Sequence, residues 1–209
     1  MEIITDLNSP YYTRRNLELI LGSNRRTLDY RISKLIDGNI LERIKPGFFL
    51  NKNLLSQSSQ KETFLEYVGS IAKYPSYISL EYALAKYGLI PESIYVITYI
   101  TTKKPGLYSC KTINYKYRNI KPDLFNSYEV KKYNDSNYFF APKFKALFDF
   151  IYLTTGSETN NLKTLLLNSR INWQSLNKSD KQKFKNYCQK SQSTKMIQTI
   201  KILKDNNLL

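Results

Sequence analysis

Histidine is absent from this sequence of 209 residues, and cysteine occurs only twice. Without histidine the chain lacks the commonest general base, the Ser-His and Cys-His nucleophile pairs, and nearly all zinc sites with a nitrogen ligand. Cys110 and Cys188 belong to no paired motif, which indicates free thiols. Catalysis by a carboxylate or a lysine stays open, but we expect a protein that is not an enzyme and needs no metal or cofactor.

Long apolar runs are also missing, because none reaches the roughly 18 residues that a membrane span needs. The amino-terminal residues show no signal-peptide pattern. We therefore expect a cytoplasmic protein without a membrane partner. Positive charge is abundant, at a net +15, which points to a polyanion or an acidic protein as partner.

The first 55 residues have the pattern of a small DNA-binding domain. Thr13 is placed to cap a helix over 14–21 that ends at Gly22, and Ser23 or Asn24 to cap a second helix that runs to about Asp37. Residues 40–44 and 48–51 then predict two strands around the turn Lys45-Pro46-Gly47. Two helices followed by a β-hairpin predict a winged helix-turn-helix over residues 1–55.

In such a domain the second helix reads base edges in the major groove, while the first helix and the wing contact the backbone. Arginine suits guanine or phosphate, and Asn24 suits adenine or phosphate. The candidate DNA-binding residues are Arg14, Arg15, Ser23, Asn24, Arg25, Arg26, Thr27, Tyr30, Lys34 and Lys45. The alternative is that these are solvated charges on an ordinary helical domain. The segment has a net charge of only +3, which predicts binding as a dimer or with help from elsewhere in the chain.

Residues 51–61 are polar and rich in Ser and Gln, which indicates a linker to a second domain over 62–209. The pattern there predicts an α+β domain with a small, mostly antiparallel sheet and carboxy-terminal helices. Helices are expected at 62–74, 77–88, 142–154, 159–168, 178–190 and 192–205, with one helical turn at 122–125. Strands are expected at 93–102, 107–120, 128–133 and 137–141.

Four phrases of the larger domain resemble the AbiEi family, whose members are antitoxins of type IV abortive-infection toxin–antitoxin systems. They are YISLEYALAKYGLIPE (77–92), Thr101 to Lys104, YRNIKPDLF (117–125) and APKFKALFDFIYL (141–153). The family joins a winged helix to a domain with these phrases in this order. Asn119 stands where a histidine is common in the family, and Phe144 where an acidic residue is usual.

The resemblance implies two roles. The winged helix-turn-helix over residues 1–55, which we call the head, would bind repeats in the promoter of its own operon and repress transcription. It would do so as a dimer if one forms on the DNA. The larger domain would neutralise a toxin that resembles a nucleotidyltransferase, through transient or indirect contact. The alternative is a stand-alone winged-helix transcriptional regulator whose carboxy-terminal domain is a sensor or a dimerisation module.

The last 51 residues have a net charge of +8, more than half of the total. One interpretation is a solvated, lysine-rich helical surface. The other is an acceptor surface for a DNA backbone or an acidic toxin face, formed by Lys178, Lys181, Lys183, Lys185 and Lys190.

Two further patterns favour other functions. Asp123, Glu129 and Lys131 give the outline of a metal-dependent nuclease, PD…ExK, but the two halves are closer in sequence than such sites usually have. Tyr115, Tyr117 and Tyr128 lie beside basic residues and could stack on single-stranded bases. Alternating tyrosines in a strand more often pack across strands.

Overall fold

A computed structural model describes residues 7–22, 24–154, 162–168 and 170–209. These residues form an α+β structure with one three-stranded and one six-stranded sheet, which confirms the expected class. The strands are β1 (Tyr11–Thr13), β2 (Leu41–Lys45), β3 (Phe48–Asn51), β4 (Ser76–Ile78), β5 (Val96–Thr101), β6 (Gly106–Ser109), β7 (Asn114–Asn119), β8 (Glu129–Tyr133) and β9 (Ser136–Phe140). The helices are α1 (Arg14–Leu21), α2 (Arg25–Asp37), α3 (Lys52–Gln57), α4 (Lys61–Ala72), α5 (Leu80–Lys86), α6 (Lys143–Leu153), α7 (Leu162–Asn168), α8 (Lys178–Lys190) and α9 (Thr194–Asp205).

Local signals define the first two helices. The Thr13 side chain accepts from the backbone N–H of Asn16, whose side chain accepts in return from the backbone of Thr13. Gly22 ends α1 in the left-handed conformation at φ 53°, and the Asn24 side chain caps α2. The predicted bounds of both helices are thereby confirmed.

Strands β1, β3 and β2 form an antiparallel sheet in that order. Successive side chains of a strand point to opposite faces. Tyr12, Leu41 and Phe49 therefore join the core under α1 and α2. Phe48 and Leu50 face the other way and belong to the core of the larger part of the chain. This small sheet thus has two buried faces.

Polar contacts reinforce the packing of the small sheet against the larger part of the chain, and we call this contact the junction. The buried Glu42 carboxylate in β2 accepts hydrogen bonds from the backbone N–H groups of Lys111 and Thr112 and from the Thr112 hydroxyl. The fully buried Asn51 amide donates to the carbonyl oxygens of Leu7 and Ser9, at 2.7 and 3.0 Å. These bonds attach the hairpin to the six-stranded sheet and the amino-terminal segment to the hairpin.

The segment that composition indicated as a linker contains α3. The Asn51 side chain accepts from the N–H of Leu54 and caps this helix, and Leu55 is buried in the larger core. Because the helix is only six residues long, its apolar face is too short to stand out from the surrounding Ser and Gln.

The larger sheet has the strand order β6-β7-β5-β4-β9-β8. Three of its five pairings are antiparallel, but β5–β7 and β4–β9 are parallel, so the sheet is mixed. Two of the predicted elements differ from those observed around this sheet. Residues 76–78 pair as β4 instead of starting a helix at 77, and residues 110–113 divide the strand predicted at 107–120 into β6 and β7.

Helix α4 packs closely on this sheet at Gly69. The hydroxyls of Tyr99, Tyr115 and Tyr117 donate to the α4 carbonyl oxygens of Glu66, Leu65 and Gly69, respectively. Because Tyr115 and Tyr117 are buried, they are unavailable for stacking on bases, and the packing interpretation is correct for both. Tyr128 is half-buried and packs on the rings of Tyr77 and Phe139. Cys110 and Cys188 are free, as expected.

Helices α6, α8 and α9 form the carboxy-terminal layer, with Phe148, Phe184, Cys188 and Met196 in its core. Within the described ranges, no helix combines the length and apolar character that crossing a bilayer requires. The start of the helix predicted at 159–168, residues 159–161, lies outside the described residues.

Candidate nucleic-acid interface

The amino-terminal half of α2 presents its polar residues to solvent. Leu28, Ile32 and Leu35 are buried under the small sheet, and this apolar stripe fixes the opposite face outward. Arg25 and Arg26, the first two residues of the helix, are both exposed. Residues 24–27 thus lie around the amino-terminal end of α2, with Thr27 half-buried.

Asn24 has a structural task at this end. Its side-chain oxygen accepts a hydrogen bond of 3.1 Å from the N–H of Thr27, as a helix cap does. The cap uses only the side-chain oxygen, so the side-chain amide nitrogen of Asn24 can donate a hydrogen bond to a bound molecule. Ser23, the other candidate cap and a predicted contact, lies outside the described residues.

Tyr30 and Lys34 continue the exposed face by one turn. The Tyr30 ring is 62% exposed, and the Lys34 ammonium lies 5.6 Å from its centroid. Such a pair holds a cation beside a flat apolar surface. Tyr30 and Lys34 are thus brought together by the structure, as their spacing of four predicts.

A groove of about 520 Å³ lies between α2 and the hairpin. We call it the arginine groove, because Arg14, Arg25 and Arg43 line it around a single carboxylate, Asp29. Arg14 donates to Asp29, and this bond, with the charges of Arg25 and Arg43, holds the pKa of Asp29 below its ordinary value. Three guanidinium groups facing one carboxylate leave the groove positively charged.

Arg43 is a residue that sequence reasoning missed. It lies in β2 between the buried Glu42 and Ile44, so the exposed position carries the charge. Its guanidinium lies 5.7 Å from the Phe49 ring centroid. Alternation along residues 41–45 was an available signal, but the buried Glu42 obscured it.

Lys45 does not stand free at the hairpin tip, where it was predicted. It is the last residue of β2, and its ammonium donates to the carbonyl oxygen of Ala72. The same ammonium lies 5.6 Å from the Phe48 ring centroid and 5.7 Å from that of Tyr108. It therefore points towards the larger sheet. Of the two arginines that start α1, Arg15 is exposed and Arg14 lines the arginine groove.

Four lysines converge on that side of the hairpin. Lys45, Lys73, Lys103 and Lys104 line a cleft of about 560 Å³ together with Tyr74 and Tyr108, and we call it the lysine cleft. The Lys73 ammonium donates to the carbonyl oxygen of Lys104 and lies 5.2 Å from the Tyr108 ring centroid. None of the described residues that line this cleft is acidic.

The five lysines predicted as a partner surface lie on α8, but they do not share one face. A helix turns by about 100° per residue, which places Lys178, Lys181 and Lys185 on one side of the buried stripe and Lys183 and Lys190 on the other. The stripe consists of Phe184, Tyr187 and Cys188. Lysines in two separate rows form a weaker binding surface for an anionic partner than a single cluster of five would.

Residues of the nuclease outline are all at the surface. Asp123 lies in a 3₁₀ turn, Pro122–Leu124, while Glu129 and Lys131 lie on the edge strand β8. Asp123 lines a cleft of about 450 Å³ with Lys121 and Lys190. In the part of the chain that the structure describes, no three His, Cys, Asp or Glu side chains are grouped so as to hold a metal ion.

Sequence reasoning also missed a buried ionic network around Lys145 and Asp149 of α6. Lys145, which is 0% exposed, donates to Asp149, and Asp149 accepts from the hydroxyls of Tyr77 at 2.9 Å and Ser79 at 2.7 Å. The Lys145 ammonium also lies 4.9 Å from the Tyr187 ring centroid. Burial lowers the pKa of Lys145 and raises that of Asp149. The spacing of four within a helix was the available signal.

A scan against protein-family models finds no match to this chain, and a search among curated proteins finds none either.

Proposed function

We propose that this protein is a double-stranded DNA-binding repressor of its own promoter and the antitoxin of a type IV toxin–antitoxin system. In this proposal the amino-terminal part is a winged helix-turn-helix. The observation that carries the DNA-binding role is the exposed start of α2, with Arg25 and Arg26, beside the arginine groove. The family resemblance of the larger domain carries the antitoxin role.

The head would bind with α2 in the major groove. An α-helix fits that groove, and the long side chains at its amino-terminal end reach base edges. Arg25 and Arg26 start α2 and so take the base-contacting positions, while Tyr30 and Lys34 extend the contact by one turn. Arg14 and Arg43, from α1 and β2, then lie where the phosphate backbone would pass.

The larger domain supports the antitoxin role through the positions of the resembling phrases. Tyr77 and Ser79 come from the first phrase, and Lys145 and Asp149 from the last, yet all four meet in the buried network. Phe125 of the third phrase packs on Tyr77 at 5.1 Å between ring centroids. These phrases thus build one shared core of the chain.

DNA recognition is tested by equilibrium binding. The probes are a duplex from immediately upstream of the chain's own gene and a shuffled duplex of the same composition. We expect the native duplex to bind more tightly, and Arg25→Ala or Arg26→Ala to lose about 1–3 kcal/mol of that preference. Arg170→Ala, at an exposed position remote from α2 in sequence, is the matched control and should bind like the wild type. Equal binding of both duplexes by the wild type would refute the repressor role.

Antitoxin function is tested by co-expression with the product of the adjacent gene. If that product is a nucleotidyltransferase-like toxin, this chain should restore growth. Continued toxicity with undiminished DNA binding would refute the antitoxin role and leave the stand-alone regulator.

A further inference from the structure

The arginine groove and the lysine cleft lie on the two sides of one hairpin turn. Pro46 and Gly47 line the groove, while the adjoining Lys45 lines the cleft. The backbone N–H of Arg14 donates to the carbonyl oxygen of Gly47 at 2.8 Å, which holds the turn against the start of α1. A polyanion that leaves the groove across this turn therefore meets the lysines next.

The lysine cleft brings together four ammonium groups from separate segments of the chain. Its ammonium groups come from β2, the residue after α4, and the β5–β6 turn, segments that are distant in sequence. Like charges held close together repel one another, and no described lining residue supplies a carboxylate to offset them. Two of the ammonium groups are held by carbonyl oxygens and aromatic rings, whereas Lys103 and Lys104 are exposed. Lys45 and Lys73 are thus held in place, while Lys103 and Lys104 present their charges to solvent.

The junction holds the lysine cleft in a fixed position relative to the head. Glu42 is bonded to residues 111 and 112, and Lys45 packs on Tyr108, so β2 is fastened along the β6–β7 end of the larger sheet. Duplex DNA carries one negative charge per roughly 1.7 Å of helix axis, so cations on both sides of the hairpin can contact phosphates of one duplex.

We propose that the lysine cleft is a second phosphate-binding site for double-stranded DNA, through which the larger domain takes part in binding the duplex held by the head. This inference rests on the proposed DNA-binding function and adds a contact to it. It also accounts for how a head with a net charge of only +3 holds a polyanion.

The test compares the salt dependence of duplex binding by full-length variants. Lys103→Gln/Lys104→Gln removes two exposed charges of the cleft. Lys131→Gln/Lys132→Gln removes two exposed charges from β8, at the opposite edge of the same sheet, and is the matched control. The probe is the upstream duplex of roughly 20 base pairs, about two helical turns. The slope of log K against log salt is negative, and each lost phosphate contact reduces its magnitude by about 0.9.

We expect the cleft variant to reduce that slope by about 2 and the control to leave it unchanged. Equal slopes for the cleft variant and the wild type would overturn the inference while leaving the proposed function intact. A reduced slope together with equal binding of the native and shuffled duplexes would support the cleft and refute the repressor role. Weakened binding of a single-stranded oligonucleotide alone would overturn the assignment to duplex DNA.

Discussion

The Lys145–Asp149 pair shows how strongly the stability of the fold depends on single side chains. Both are fully buried, and each is the main charged partner of the other. Removing one partner of such a pair leaves an uncompensated charge in a medium that solvates it poorly.

Lys145→Met should therefore lower the free energy of unfolding by about 3–5 kcal/mol. The double change Lys145→Met/Asp149→Asn should lose less, because it also removes the unpaired charge. Denaturant unfolding of the three proteins checks this. A double variant less stable than Lys145→Met would contradict the account.

Glu66 gives the fold a pH dependence of a predictable sign. Its carboxylate accepts from the hydroxyls of Tyr82 at 2.8 Å and Tyr138 at 2.7 Å, but burial outweighs these bonds and raises its pKa above 4.5. The folded state thus holds the proton more tightly than the unfolded state. The contribution of Glu66 to stability is full below pH 4.5 and is lost as the pH rises through the raised pKa.

The free energy of unfolding of the wild type, measured relative to Glu66→Gln, should accordingly fall as the pH rises from about 4 towards neutrality. The subtraction cancels the other titrating groups. A difference that rises over this range would show that hydrogen bonding, and not burial, dominates at Glu66.

At the scale of elements, the contact between α4 and the sheet depends on one glycine. A Cβ atom added at Gly69 would lie 2.3 Å from the Tyr99 hydroxyl and 2.5 Å from the Tyr115 ring. Neither ring has room to move, because both are buried and hydrogen-bonded to α4 itself.

Gly69→Ala should lower the free energy of unfolding by about 3 kcal/mol, at the upper end of the usual cost of overpacking. Gly22→Ala is the control, since a Cβ there meets nothing within 4 Å and only the positive φ of 53° is strained. That change should cost about 1 kcal/mol. Equal losses for the two variants would mean that α4 can move away from the sheet.

Helices marked by their own capping residues were predictable from the sequence. Strands that form only by pairing with other strands were not. Thr13, Gly22 and Asn24 mark α1 and α2 directly. By contrast, Ser76–Ile78 is three residues long and becomes a strand only because β5 and β9 lie on either side of it. Pattern alone also cannot distinguish a parallel from an antiparallel neighbour, as for β5 and β7.

The same distinction applies to the candidate site. Residues of one helix, such as Arg25 and Arg26, could be grouped from sequence, since their neighbourhood is set by the helix itself. Arg43, Lys73 and Lys103 could not, because they come from different elements that meet only in the folded chain. The lysines of α8 show the converse, since proximity in sequence did not give them a common face.

For the whole molecule, the buried junction predicts one cooperative unit. Phe48 and Leu50 of the small sheet lie in the larger core, and the Glu42 carboxylate is bonded across the junction. Heating should give a single transition at the same temperature by far-UV circular dichroism and by the fluorescence of Trp173, which lies in the larger core. An earlier loss of helix signal, before the tryptophan responds, would show that the head unfolds separately.

In the proposed function the start of α2 contacts purine edges in the major groove. Replacing a purine by its 7-deaza analogue removes the N7 acceptor there and leaves base pairing intact. Binding of the upstream duplex should weaken by about 1–3 kcal/mol at one or a few 7-deaza positions, and those losses should disappear in Arg25→Ala/Arg26→Ala. If no 7-deaza position weakens the wild type, or if the losses persist unchanged in the variant, α2 does not read the major groove through these arginines.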